Sequence, residues 1–284
     1  MGNDTHENAQ HYGYWNSAIV PLEEIHIHPQ DLGVLRGYGV FDVMRTENRK
    51  PFLIEKHFTR LKHSAEILGL NIPISFDAYQ DVIVQLIEKN NFEQSSIRTV
   101  LTGGPSTNAF IPEGKETFFI LVTPFQGLDD GYFVNGAKIM TLEHGRQYPQ
   151  AKVTQYVAAI KNAHKKQQQG ALEILYLQNG KALEASTSNF AIIKDGVLIA
   201  PAQEILLGIT RDLTLCLAKE HGIPVDERDV LFEEVLSADE VLLMATNKYI
   251  VPVVRVDDCV IGDGKPGVQT KKLMQAMQEF ILKY

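Results

Sequence analysis

The chain has only two cysteines, Cys216 and Cys259, and no CxxC pair. Neither a disulfide framework nor a zinc site is indicated. A reducing, cytoplasmic setting is the simplest expectation. Long apolar runs are missing as well. None approaches the about 18 residues of a membrane span, so no membrane partner is expected. Basic residues are outnumbered 27 to 35, for a net charge of −8. A nucleic-acid binder should show the reverse balance, although a local patch for an anionic small molecule stays open. The opening MGNDTHENAQ lacks an apolar signal core, and His6 stands where myristoylation wants Ser or Thr. Residues 1–11 are expected to form a loose tail. No repeat or low-complexity segment is visible. GxSxG, HExxH and P-loop motifs are absent, which leaves hydrolase and NTPase readings without an anchor.

What is present is ordinary globular material: 44% apolar and 22% charged residues over 284 positions. That length suggests about two domains. Up to residue 122 strands and helices mix. Residues 15–28 read as strand, and Val40–Thr46 pairs with Pro51–Ile54 around Glu47-Asn48. Helices are predicted over Glu55–Leu68, stopped by Gly69, and over Phe76–Asn90. Strands follow at Ile97–Leu101 and Thr117–Val122. Residues 123–131 (TPFQGLDDG) read as a linker. Beyond it come strands at Lys138–Thr141, Glu173–Gln178, Asn189–Lys194, Val197–Ala200, Glu240–Ala245 and Val251–Val256. Helices lie at 155–169, 210–221 and 268–282. Asn179-Gly180 and Asp195-Gly196 are hairpin signals. The expectation is an α+β fold of two mixed α/β domains, a smaller one over 1–122 and a larger one over 132–284.

Several motifs bear on chemistry. GDGKPG at 262–267 matches GxGxxG literally but lacks the βαβ unit of a dinucleotide fingerprint, so it reads as a turn before the last helix. His26 and His28 share a face of the first predicted strand without a third metal ligand, so they read as a polar strand face and no metal site is expected. Leu207-Gly208-Ile209-Thr210-Arg211 opens a helix. Its free N–H groups and the Thr hydroxyl could seat a phosphate, or Thr210 could be a plain N-cap. Lys152 precedes the 155–169 helix at a junction where a lysine is usually a solvated residue. Glu184 precedes Ser186-Thr187-Ser188-Asn189, which alone reads as a polar turn.

In this order and spacing the pieces resemble the class IV aminotransferases, enzymes of pyridoxal 5′-phosphate (PLP) fold type IV. The resemblance runs from about residue 15 to the end. It is carried by GYGVFDVMRT (37–46), His57-x-x-Arg60-Leu61, Lys152 with Tyr156, EASTSN (184–189), GITR (208–211), ATN (245–247) before Val251-Pro252-Val253, and GDGKPG. It implies two domains with PLP between them. Lys152 would hold PLP as a Schiff base and shuttle a proton. Glu184 would keep the pyridine nitrogen protonated, and Tyr156 would bond the ring's phenolic oxygen. Arg60, the Ile209 N–H, Thr210 and Thr246 would cradle the phosphate. Thr187 and Asn189 would support these groups from behind.

The substrate carboxylate decides which transaminase this is. Branched-chain enzymes typically carry Phe-Glu-Gly-x-Arg and a late Gly-Thr-Ala turn. Here those places read Phe41-Asp42-Val43-Met44-Arg45 and Ala245-Thr246-Asn247-Lys248. The chain is similar instead to a subgroup of D-amino acid transaminases that share LRGYGVFD and IRTVLTGG. In that subgroup two arginines, here Arg36 and Arg98, grip the α-carboxylate, one of them from the partner subunit. The other possibility for Arg98 is a strand residue paired at the surface. Phe41, Asn247 and Lys248 complete the expected substrate site, and Arg45 could add positive charge. The resemblance thus implies a homodimeric PLP transaminase of D-amino acids and 2-oxo acids such as 2-oxoglutarate or pyruvate. An L-branched-chain or (R)-amine transaminase, or a lyase like aminodeoxychorismate lyase, is the alternative.

Overall fold

Turn chemistry and alternation account for the first part of the chain. In the computed structural model, which describes residues 10–284, strands β1 (Tyr12–Trp15) and β2 (Ala18–Pro21) form a hairpin. Helix α1 (Leu32–Arg36) starts at Asp31, whose carboxylate accepts the Gly33 N–H, and stops at Gly37 in the left-handed region. Strand β3 (Gly39–Glu47) turns through Asn48 and Arg49, both at positive φ, into β4 (Lys50–Pro51), the backbone twist that short hairpins favour. Helices α2 (Ile54–Ile67) and α3 (Phe76–Asn90) follow, then β5 (Ser95–Thr102) and β6 (Thr117–Pro124). The strands make an antiparallel sheet in the order β2-β1-β6-β5-β3-β4. Leu61 and Ala65 of α2, with Tyr79, Ile83 and Leu86 of α3, join its buried cluster.

Next come α4 (Gly131–Asn135), β7 (Ala137–Glu143), α5 (Val157–Lys161), α6 (Ala163–Gln168), β8 (Glu173–Gln178), β9 (Lys181–Ala185), β10 (Asn189–Lys194) and β11 (Val197–Ala200). The chain continues through α7 (Ile209–Glu220), β12 (Val225–Glu227), β13 (Val230–Leu231), α8 (Phe232–Leu236), β14 (Glu240–Ala245), β15 (Tyr249–Val256), β16 (Cys259–Val260) and α9 (Val268–Leu282). These strands form a mixed sheet in the order β12-β11-β10-β14-β15-β7-β8-β9-β13, with β16 on β15. Asn179-Gly180 and Asp195-Gly196 are hairpin turns with both residues at positive φ. The chain divides into two units: one runs to Gln126 and takes back Ala151–Gln155; the other holds Gly127–Gln150 and Tyr156–Tyr284.

Four expectations need correction. Residues 15–28 are not one strand: β2 ends at Pro21, a 3₁₀ turn covers Leu22–Glu24, and 25–28 lie in no strand. His26 and His28 therefore share no strand face, and His28 Nδ1 accepts the Gln30 N–H instead. No cluster of metal-binding side chains exists among the described residues. The helix expected over 155–169 is broken at Asn162, whose side chain donates to the Ala158 carbonyl at 2.9 Å, a local bond that competes with the helical ladder. Most of the expected tail, residues 1–9, lies outside the described residues, but its last residue is anchored: the His11 carbonyl accepts the Leu22 N–H and its ring packs 5.0 Å from Phe92.

Candidate active site

Lys152 is fixed by its own backbone. Its N–H donates to Ser64 Oγ at 3.0 Å, and its carbonyl accepts the Phe41 N–H at 2.9 Å. Val153 bridges to Val40, and the Thr154 N–H donates to the Gly39 carbonyl. The segment thus runs antiparallel along the start of β3, between the buried Ala151 and Val153. Lys152 Nζ lies 4.8 Å from the centroid of the Phe41 ring. The Arg98 guanidinium approaches the same ring at 5.2 Å, within reach of cation–π attraction. Register explains this. Arg98 on β5 stands opposite Val43, so Phe41 is its diagonal neighbour on the same sheet face. Arg98 is exposed and has no acidic partner among the described residues.

The opposite face of β3 carries Asp42, enclosed beneath α2. Helical spacing puts His57, Arg60, Leu61 and Ser64 on one stripe of that helix. Arg60 grips Asp42 with Nε and Nη2 at 2.8 and 3.0 Å, and His57 Nδ1 lies 2.6 Å from Asp42 Oδ1. Burial pushes the Asp42 carboxyl up, but Arg60 and His57 outweigh it and hold Asp42 below the ordinary carboxylate range. Burial pushes His57 down, with Asp42 opposing. We read His57 as a neutral ring donating Nδ1–H, with Arg60 carrying the positive charge. Nη1 of Arg60 makes no bond among the described residues, which leaves that N–H donor open to an anion.

The second unit gathers the other expected residues. Glu184, on β9, accepts Arg146 Nε at 2.6 Å and the Leu206 N–H at 3.0 Å. Asn189 donates to the Leu206 carbonyl at 2.7 Å. The Leu206 peptide is therefore held at both ends, just ahead of α7. Helix α7 begins at Gly208 with no side-chain cap, although Ile209 and Thr210 are buried. By contrast α9 has its first N–H groups filled: Glu240 accepts from Gln269 and Thr270. That contrast also confirms GDGKPG as a turn into a helix whose start is already occupied. Gly208 is required by space, since a Cβ there would stand 2.0 Å from Asn189 Oδ1. Arg211, 2% exposed, ties α7 to the Pro201 carbonyl and Glu227. Thr246 follows β14, whose Met244 pairs with Asn189, so both lie at one end of the sheet. Tyr156 faces the Tyr176 hydroxyl, which burial, with Tyr156, Glu173 and Glu184 adding, pushes up to about 12.

Two side chains expected to add positive charge to the substrate site are engaged with acidic partners. Lys248 is 5% exposed and its Nζ donates to Glu173 Oε1 at 2.6 Å and Ser188 Oγ at 2.9 Å. Thr187 joins this group through bonds to Glu173. An ammonium so enclosed is committed to its partner and is not offered to a substrate. Arg45 lies 2.6 Å from Glu47 and stacks on Phe125 at 3.9 Å. Arg36 and Asn247 remain exposed. Sequence reading missed Glu173 and Arg146. A glutamate between the apolar Leu172 and Ile174 was the signal for the first; no local pattern marks the second.

A phosphate-bearing pyridine cofactor fits these residues. The start of α7 is buried with donors that no side chain caps, which suits an anion. Glu184, ion-paired with Arg146, is a fixed carboxylate of the kind that a pyridine nitrogen would pair with.

Residues 39–256 match the family model for amino-transferase class IV. The chain is 31% identical over 278 residues to a putative branched-chain-amino-acid aminotransferase of Methanocaldococcus jannaschii, covering 95% of this chain and 96% of that one. It is 32% identical over 274 residues to a D-alanine aminotransferase of Listeria monocytogenes, covering 94% and 95%. Among solved structures it is similar to the Escherichia coli branched-chain amino acid aminotransferase, with a TM-score of 0.89, 28% identity, and 96% and 95% coverage. The T.th. branched-chain amino acid aminotransferase solved with pyridoxamine 5′-phosphate gives a TM-score of 0.89 at 25% identity, covering 96% and 94%. Class IV aminotransferases use PLP. With the family model spanning most of the chain and full-length relatives of both names, this protein belongs to the class IV aminotransferases.

Proposed function

We propose that this aminotransferase acts on D-amino acids, with 2-oxoglutarate or pyruvate as amino acceptor. The observation that carries the reading is Arg98, exposed beside Phe41, with Lys152 Nζ against the same ring. A surface-paired strand arginine would have an acidic neighbour; among the described residues this one has none. A guanidinium there suits a substrate α-carboxylate by bidentate geometry. Arg36, on the exposed end of α1, is the second arginine, supplied from the partner in a homodimer. A cytoplasmic location belongs to the same proposal; no described helix is long and apolar enough to cross a membrane.

When bound, PLP supplies an electron-withdrawing ring that lets a proton leave the substrate α-carbon. Lys152 holds the cofactor and moves that proton at Nζ. Its backbone bonds to Ser64 and Phe41 limit where Nζ can swing. Glu184 holds a proton at the ring nitrogen, and Tyr156 orients the phenolic oxygen. Arg60 Nη1, the Ile209 and Thr210 N–H groups, Thr210 and Thr246 hold the phosphate, with Thr187 and Asn189 bracing the turns behind them.

The test is a donor screen with both enantiomers of alanine, glutamate, leucine and valine on the PLP-loaded protein. D-Alanine or D-glutamate should exceed the L-forms in kcat/KM by roughly 100-fold or more, a transition-state difference of about 2.7 kcal/mol. A preference for L-leucine or L-valine would overturn D-specificity. That second reading is favoured by the archaeal relative, which carries the branched-chain name at comparable identity.

A further inference from the structure

The hairpin between β14 and β15 closes in three residues, Thr246, Asn247 and Lys248, with Ala245 paired to Tyr249. The Lys248 N–H donates to the Ala245 carbonyl at 3.2 Å, and Tyr249 follows with φ +53°. The left-handed residue is thus the first residue after the loop, a conformation that glycine adopts most readily. An aromatic side chain there is strained and persists where its surroundings hold it.

An anchor sits one residue earlier. Lys248 Nζ donates to Glu173 Oε1 at 2.6 Å, Ser188 Oγ at 2.9 Å and Thr187 Oγ1 at 3.3 Å, which uses all three ammonium protons. Glu173 also accepts from Ser188 Oγ at 3.0 Å, from the Thr187 N–H at 3.1 Å, and from the hydroxyls of Ser186 and Thr187. The start of β8, the turn 186–188 and the β14–β15 turn are thereby joined at one buried point. Thr246 lies two residues before Lys248. Glu184 and Asn189 flank the hydroxyl-bearing turn on either side.

We infer that Glu173 and Lys248 are a positioning pair: they fix the Thr246 turn against the 186–188 turn so that Thr246 is held for the cofactor phosphate. The inference rests on the reading of Thr246 as a phosphate ligand. A buried pair of this kind is replaceable by apolar side chains of similar size with little loss of stability. Holding one arrangement of two turns is the role that such a replacement would lose.

The experiment compares the natural protein, Lys248→Met, Glu173→Gln/Lys248→Met and Thr246→Ala. Each is titrated with PLP and with pyridoxal, which lacks the phosphate, following the absorbance of the bound form. Thermal unfolding is read on the cofactor-free proteins. Lys248→Met should weaken PLP binding about tenfold or more and change pyridoxal binding less than about threefold. The double variant should unfold within a few degrees of the natural protein yet still bind PLP weakly. If Lys248→Met does not fold, the double variant decides. Natural PLP affinity in the double variant, or in a folded Lys248→Met, overturns the inference. If Thr246→Ala leaves the preference for PLP over pyridoxal unchanged, the phosphate reading of Thr246 fails and the inference with it. If Thr246→Ala lowers that preference and the Lys248 variants do not, only the positioning role fails.

Discussion

His57 is 1% exposed, its Nδ1 lies 2.6 Å from Asp42, and burial holds its pKa below the ordinary 6.5. An unfolded chain takes up a proton at this residue near pH 6.5, and the folded chain only at lower pH. Between those two values the unfolded state binds more protons, so stability falls as pH falls. Asp42 acts in the same direction at lower pH: its contribution is full above about pH 4 and is lost as acid approaches its lowered value. His144, also lowered, mainly by burial, adds to the first window. His57→Asn should therefore flatten the fall in thermal midpoint between pH 7 and pH 5. Calorimetry at the two pH values checks it; equal falls in both proteins would assign the loss to other groups. Motifs singled out Lys152 and Glu184, and the fold holds the first by its backbone and the second by an ion pair. For Lys248 the sequence shows a cation in the turn but hides Glu173, 75 residues earlier, which neutralises it. Arg146 meets Glu184 across 38 residues with no local sign of the pairing.

Helix α7 depends on a junction in which Gly208 has φ −80°, a conformation open to any residue, but no room for a Cβ. Gly208→Ala should push Asn189 away and break its bond to the Leu206 carbonyl. The expected cost is about 1–3 kcal/mol in the cofactor-free protein, with weaker PLP retention, both read by thermal unfolding with and without PLP. Asn189→Ala/Gly208→Ala relieves the clash and should recover part of the stability without recovering retention. A Gly208→Ala protein as stable as the natural one would disprove this packing. At this scale the sequence was most legible where a cap and a buried stripe coincide. Helix α3 begins at Ser75, buries Tyr79, Ile83, Leu86 and Ile87, and ends at Asn91 in the left-handed region. The break at Asn162 was hidden because the residues on both sides suit a helix and only the Asn side chain adds a second donor to the Ala158 carbonyl. Strand β9, short and polar at its start, becomes a strand by pairing with β8 and β13, which no local pattern records.

The whole molecule bears on stereochemistry because relatives of both names match it along nearly the whole chain, and identity near 30% does not separate them. Arg36 and Arg98 can separate them, if each site takes one arginine from each of two chains. That arrangement has a consequence that single-chain assays miss. In an isologous dimer, a chain bearing Arg36→Ala keeps its Arg98, and a chain bearing Arg98→Ala keeps its Arg36. Each homodimer of such variants has two defective sites. The mixed dimer has one site with both arginines and one with neither. Unfolding and refolding an equal mixture should then restore about a quarter of the natural kcat/KM toward D-alanine, since half the dimers are mixed and each has one intact site. Each variant alone should lose on the order of 2–5 kcal/mol of transition-state binding for an amino acid. An amine accepted without a carboxylate should be spared. Restoration of activity on mixing supports shared sites and the two-arginine reading together. No restoration, with both variants dimeric and PLP-loaded, places both arginines in one chain's site or removes one of them from it.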